Sequence, residues 1–308
     1  MSQDVSALAA AIDQFVKVDG IHATAVPRLS LIRTSETTLP LHAVHNPAVC
    51  IIAQGRKLVL LGDKSFNYGA GQYLAVSVDV PVVGQVVEAS AERPYLCFKL
   101  DLDPPLLSSI LLDMGANGFD GDAQGAGQGV EVADVTAGIA DVALRCVQLL
   151  DHPEDMRMLA PLIERELLYR LLCGPLASTL RQIAWGGSRL QQVNRAIGWI
   201  RRNFDKPFTI EAVAAEARMS ASALHQHFKA VTAMSPLQYQ KHLRLQEARR
   251  LILSHATDAA SAGHRVGYDS PSQFSREYAR LFGAPPLRDA ARLRQSGAML
   301  AEAIAVNG

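Results

Sequence analysis

Two stretches in the last third of the chain carry the same helix-turn-helix pattern at a constant offset, a duplication that few folds can accommodate. The first runs from Thr209 through Ser220 to Lys229, the second from Val266 through Ser270 to Tyr278. Each has a serine at a helix start (Ser220, Ser270), an apolar residue four positions on (Leu224, Phe274) and an aromatic four further (Phe228, Tyr278). The offset is 278 − 228 = 50, the same as 270 − 220. A serine at the N-cap accepts from a first-turn N–H, and apolar residues at i and i+4 make one inward stripe. Ala221, Ser222, His225 and Gln226 then face outward on the first helix, and Ser272, Gln273 and Arg276 on the second. The N-terminal half of such a helix is what reaches base edges in the major groove. Gln suits adenine, Arg suits guanine, and Ser270 at its helix N-terminus suits phosphate. These eight residues are the expected contacts to double-stranded DNA.

Between the two patterns, Ser235-Pro236 signals a helix start, and Leu237–Ser254 reads as one helix carrying Leu243, Leu251 and Leu253 beside Arg244, Arg249 and Arg250. At 1.5 Å per residue it would span roughly 27 Å. A spacer of that size suits two reading helices set about one DNA turn, roughly 34 Å, apart.

Charge is split along the chain. The whole carries 30 basic and 30 acidic residues. Residues 186–308 hold 17 Lys and Arg against 9 Asp and Glu, a net of +8, which leaves 13 against 21, or −8, for residues 1–185. A basic segment attracts polyanions. Cys50, Cys97, Cys146 and Cys173 lie in separate apolar contexts without a CxxC, as reduced thiols in a cytoplasmic protein do. Neither a signal-peptide pattern nor a membrane-spanning run is visible, so a cytoplasmic location without membrane contact is expected.

The N-terminal part opens with a helical pattern over residues 1–20. From Leu29 to Asp103, strand-length apolar bursts are cut by turn signals such as Gln54-Gly55 and Gly62-Asp63, which reads as an antiparallel barrel or sandwich. A short helix is expected over Leu106–Met114, then a surface loop with six glycines between Gly115 and Gly129. Two further helices follow, Thr136–Leu150 and Pro161–Leu172, the second with Pro161 in its first turn. Their surplus apolar residues suit packing on the barrel or a dimer seam. Gly186-Gly187-Ser188 reads as a linker.

The long run Val266–Tyr278, continued by Arg280-Leu281-Phe282-Gly283-Ala284-Pro285-Pro286, resembles the DNA-binding domain of the AraC/XylS family of bacterial transcription regulators. Ser235–Tyr239 and Leu243–Arg249 match that family's connecting helix. Gln54–Lys57, Gly71–Leu74, Ser77–Val82 and Arg93–Leu96 are similar to the cupin-like sensor of one AraC subfamily. The resemblance implies an α+β protein of two domains: a cupin-like β-barrel with flanking helices that senses an effector and dimerises (1–175), and, after a linker (176–188), an all-helical DNA-binding domain (189–295). The helix-turn-helix motifs fall at 209–229 and 259–281, with a tail at 296–308. It further implies a homodimer on promoter DNA, working with RNA polymerase as an activator, although the residues leave activation and repression both open. In one respect the chain departs from the family: Ala262-Gly263-His264 stands where bulkier apolar residues are usual, which predicts a loosened supporting helix and a weaker second reading head.

For the effector pocket the expected residues are Arg33, His45, Cys50 and Tyr73. Some regulators with this kind of sensor respond to aldehydes, so Cys50 reads either as a core thiol or as a sensor of an aldehyde or other electrophile. His42 and His45 are three apart, but no third ligand follows at a matching spacing, so no metal is expected. With no Ser/His/Asp arrangement, phosphate loop or dinucleotide fingerprint, neither catalysis nor a cofactor is expected.

Overall fold

The computed structural model describes residues 5–115, 128–185, 187–254 and 258–295. Most of the expected glycine-rich loop, Gly186 of the expected linker and the tail 296–308 lie outside the described residues. The leading helix α1 (Ser6–Phe15) buries Leu8, Ala9 and Ile12. Nine strands follow: β1 (Gly20–Ala23), β2 (Leu29–Thr34), β3 (Leu41–His45), β4 (Ala48–Gln54), β5 (Arg56–Leu61), β6 (Lys64–Gly69), β7 (Gln72–Val76), β8 (Val80–Glu88) and β9 (Tyr95–Asp101). After α2 (Pro104–Asp113), the last strand β10 (Val130–Asp134) leads into α3 (Ala137–Gln148), a 3₁₀ turn (Leu149–Asp151), α4 (Pro153–Leu172) and α5 (Ala177–Ala184).

The strands form a six-stranded sheet, ordered β1-β2-β9-β4-β7-β10, facing a four-stranded one, ordered β3-β8-β5-β6. Among the described residues no ladder joins the two into a closed ring, so the expected barrel is an open pair of sheets. Two facing sheets bury their inner surfaces without closure. In β4 all residues from Ala48 to Ala53 are buried, because one face looks into the sandwich and the other lies under helices.

Two helical expectations are corrected. Helix α4 begins at Pro153, with Glu154 and Asp155 in its first turn, so Pro161 lies inside the helix instead of opening it. Pro153 fills the first-turn role that suits proline. The segment expected as linker contains α5, which buries Leu180 and Ile183.

The C-terminal part is all helical: α6 (Arg189–Arg202), α7 (Ile210–Ala217), α8 (Ala221–Thr232), α9 (Pro236–Leu253), α10 (Ala259–Arg265), α11 (Pro271–Phe282) and α12 (Pro286–Gln295). Helix starts follow their side chains. Ser188, Ser220, Ser235, Asp258 and Ser270 each accept from a backbone N–H three residues on, and Ser235 with Gln238 completes a capping box. One buried apolar cluster runs from Val5 through both sheets into Phe228, Val231 and Tyr239, while a second holds Leu245 to Leu293. The sheet domain and the first helix-turn-helix thus share a core, and the second helix-turn-helix has its own.

Candidate nucleic-acid interface and effector cavity

Both reading helices are held from behind. On α8, Leu224 and Phe228 are fully buried, and Phe228 meets Tyr239 of α9 edge-on at 5.4 Å. On α11, Phe274 packs between Tyr268 (5.4 Å) and Tyr278 (5.6 Å). With the apolar stripes turned inward, Ser222, His225 and Gln226 are exposed on α8 and Ala221 is half-buried. Ser272, Gln273 and Arg276 are exposed on α11, and Arg276 has no ion pair among the described residues. The Ser270 oxygen already accepts from the Gln273 N–H at 3.3 Å, leaving its O–H to donate. The Gln273 amide donates to Glu277 at 3.2 Å, and Glu277 also receives Lys241 and the Tyr268 hydroxyl, each at 2.8 Å.

Helix α10 is closely packed at its glycine. Asp258 caps it, Ala262 and Gly263 are both buried, and a Cβ on Gly263 would lie 3.0 Å from Cγ and 3.1 Å from Cδ1 of Phe274. The small residue lets the two helices of the second head approach. Behind them Asp289, fully buried, accepts from Arg249 Nε at 2.8 Å, Arg292 Nη2 at 2.8 Å and the Tyr278 hydroxyl at 3.0 Å. Such a charged group is tolerable inside only because it is paired and hydrogen-bonded.

A cavity lies between the two sheets with about 60 Å³ of free space. His45, Cys50, Lys57, Tyr95 and Lys99 supply its polar lining, with Ile32, Leu41 and Ala43 among the apolar walls. Two of the four expected effector residues, His45 and Cys50, are therefore brought together. Arg33 and Tyr73 stand elsewhere. Cys50 pairs with Leu74 and Lys99 across the ladder, so those three share the inner face, whereas Ile51 pairs with Tyr73 and Phe98 on the helix-covered face. Tyr73 Oη would lie 3.6 Å from a Cβ at Gly174, and burial pushes its hydroxyl up to about 12. Arg33 donates to Asp19 and Asp13, tying α1 and its following turn to β2. His42 and His45 face opposite ways on β3, which removes them as a joint ligand pair. His45 lines the cavity, and burial, with Lys57 and Lys99 adding to it, lowers its pKa to about 3. His42 packs edge-on against Phe282 at 5.0 Å.

The Cys50 thiol is lowered to about 7, first by a hydrogen bond with the Cys97 thiol and then by Lys57 and Lys99, against the opposing effect of burial. The same contact drives Cys97 upward, so the two thiols share one proton before either gives up a second. Lys57 and Tyr95 stand in stretches that resemble the sensor family, but the sequence marks neither them nor Lys99 as cavity residues. For Tyr95 and Lys99 the signal is parity with Cys50, which requires the strand register.

The sheet domain touches both heads. The Tyr239 hydroxyl donates to the Asp79 carbonyl at 2.9 Å, Arg201 pairs with the Asp79 carboxylate, and the Gly129 N–H donates to the Val231 carbonyl at 3.0 Å. No helix among the described residues is long and apolar enough to cross a membrane.

Residues 25–179 match the family described as AraC-type transcriptional regulator N-terminus, and residues 213–292 match a helix-turn-helix domain. The chain is 28% identical over 105 residues to the transcriptional activator RhaS of Pectobacterium atrosepticum, covering 34% of this chain and 38% of that protein. It is 28% identical over 92 residues to the lactose operon transcription activator of Staphylococcus xylosus, covering 30% of this chain and 33% of the relative. The chain thus spans only 33–38% of the length of these curated relatives. In fold it is similar to a crystal structure of apo ToxT from Vibrio cholerae, with a TM-score of 0.53 at 9% identity over 87% of this chain and 98% of that one.

Proposed function

The chain belongs to the AraC-type transcriptional regulators, and from that premise we propose that it reads promoter DNA with α8 and α11 and alters that grip when a small molecule enters the cavity between its sheets. The observation that carries the reading is the paired arrangement: two capped helices, each held by an aromatic stripe, present Ser222, His225 and Gln226 and Ser272, Gln273 and Arg276 to the outside. Arg276 and Gln226 are assigned to base edges, Ser270 to a phosphate. The test is binding of the full chain to duplexes selected from a genomic library. Arg276→Ala should cost about 1–3 kcal/mol on the selected site and relax preference at one base position. Equal weakening on every sequence would remove Arg276 from base readout.

The effector reading rests on Cys50. Its thiolate, favoured by the two lysines, adds to an electrophilic carbon such as that of an aldehyde, forming a C–S bond while the carbonyl oxygen takes a proton. A change in DNA affinity on adding propanal that disappears in Cys50→Ser supports this, and an unchanged response in that variant rejects it. Strand β3 supplies a route between sites, since Leu41, Ala43 and His45 line the cavity while His42 packs on Phe282 of the second head. The two sites are then coupled through one element.

The protein is further proposed to act as a cytoplasmic homodimer and as an activator in contact with RNA polymerase. Support for the dimer comes from α4, where Met158, Leu162 and Tyr169 are exposed along one face. Leu162→Glu should shift the sedimenting species from dimer to monomer.

A further inference from the structure

The cavity has a charge imbalance. Lys57 enters it from the four-stranded sheet and Lys99 from the six-stranded one. Lys99, only 6% exposed, is answered by Asp101 Oδ1 at 3.0 Å. Lys57 is half-buried, and no carboxylate among the described residues pairs with it. Its side chain lies over Gly84, where a Cβ would come within 3.2 Å of Lys57 Cε and 3.7 Å of Nζ. The missing side chain at position 84 thus clears the path that carries the ammonium into the cavity.

Two ammonium groups against one carboxylate leave one net positive charge in a largely apolar enclosure. A cation partly withdrawn from water without a partner is penalised, and an arriving anion relieves that penalty. Two donors beside the lysines suit an oxyanion. The buried Tyr95 hydroxyl meets the Cys97 thiol, a weak partner, and has no oxygen or nitrogen partner among the described residues, and His45, neutral because of its burial, keeps one ring N–H. The guest is small, because about 60 Å³ of water-accessible space holds roughly four to six waters at about 10–15 Å³ each, a match to the five heavy atoms of propionate.

We propose that this cavity is a site for a short-chain monocarboxylate, whose carboxylate bridges Lys57 and Lys99 and whose few carbons lie against Ile32, Leu41 and Ala43. The inference rests on the cavity being the effector site and adds a charge requirement to it. The Cys50 thiolate is favoured by the same two lysines, so ligand and thiolate compete for the same cations.

The test uses the full chain with propionate, its neutral isostere propionamide, and octanoate. Propionate should raise the melting temperature in a saturable way, and propionamide and octanoate should not. In Lys57→Gln, which removes the uncompensated charge and so should fold, propionate binding should weaken at least tenfold. Saturating propionate should also slow iodoacetamide alkylation of Cys50 several-fold at pH 7 in the parent and leave it unchanged in Lys57→Gln. Equal binding of propionamide, or undiminished binding by Lys57→Gln, overturns the proposal, and preference for octanoate overturns its size limit. If propanal alters DNA affinity while propionate has no effect on melting or alkylation, the effector reading stands and the charge requirement falls. If propionate binds through Lys57 with no change in DNA affinity, the anion site stands and its effector role falls.

Discussion

Gly263→Ala sets two known effects against each other within the second head. The residue lies inside α10, where alanine is favoured over glycine by about 1 kcal/mol. On propensity alone the substitution stabilises. Packing acts the other way, because the new methyl would meet Phe274 at 3.0 and 3.1 Å. The ring has no easy retreat, being held edge-on by Tyr268 at 5.4 Å and Tyr278 at 5.6 Å. Overpacking a core of this kind costs about 1–3 kcal/mol. The net expectation is destabilisation by up to about 2 kcal/mol, with weaker DNA binding because Phe274 seats the reading helix. Gly198→Ala is the matched control. It also lies in a helix, but its methyl would meet only the mobile end of Arg202, at 3.3 Å, so it should stabilise by about 1 kcal/mol. Urea unfolding monitored by circular dichroism reads both. A gain in stability for Gly263→Ala comparable to that of Gly198→Ala would refute the packing account and restore the loosened-helix expectation.

Three other outcomes follow from buried charges. Asp289→Ala strips Arg249 of its buried carboxylate and should cost about 3–5 kcal/mol in urea unfolding; a loss under about 1 kcal/mol would show that solvent reaches the pair. The Cys50 alkylation rate, followed by peptide mapping so that exposed Cys173 is separated, should rise with pH through a midpoint near 7 and shift to higher pH in Lys57→Gln. A parent midpoint near that of an ordinary thiol would remove the lysines' role. Burial, Arg249 and His242 lower the pKa of His42 to about 4 against the opposing pull of Asp289. The unfolded chain therefore binds the extra proton between about pH 6.5 and 4, and this contribution is full above 6.5 and lost as pH falls through that window. His42→Gln should flatten the pH dependence of stability there by about one proton's worth, and an unchanged slope would place the histidine in water.

Much of the helical half is legible in the sequence because its determinants are local. Ser220, Ser235 and Ser270 cap where they stand, and Phe228 and Tyr278 turn inward by simple i, i+4 spacing. The sheet half is different. Arg33 and Tyr73 miss the cavity by one residue of parity, since Ile32 lines it and Leu74 shares the inner face with Cys50. A one-residue change reverses every face of a strand, and only the register between β4 and β9 shows that Lys99 stands opposite Cys50. Helix α5 was hidden for another reason. Its short run from Ala177 to Ala184 lies beside glycines that read as linker, and its helicity depends on the core that it covers.

The division of the cores also changes where the moving parts of such a regulator meet. The sequence suggests a break at Gly186-Gly187-Ser188, with both heads on one side of it. In the folded chain the first head is packed into the sensor's own core, through Val231 and Tyr239, and is pinned by the Asp79 contacts. The second head begins its separate core at Leu245, partway along α9. A ligand acting on the sensor therefore works on a body that already includes one reader. The reader left to be repositioned is the second, joined through α9 and touched by His42 of β3, the same strand whose other face lines the cavity. On the proposed reading both readers sit on one face of the duplex, and a change in the angle of α11 relative to α8 would separate one-headed from two-headed binding. That makes the second head, whose Arg276 is assigned to base readout, the natural point of control.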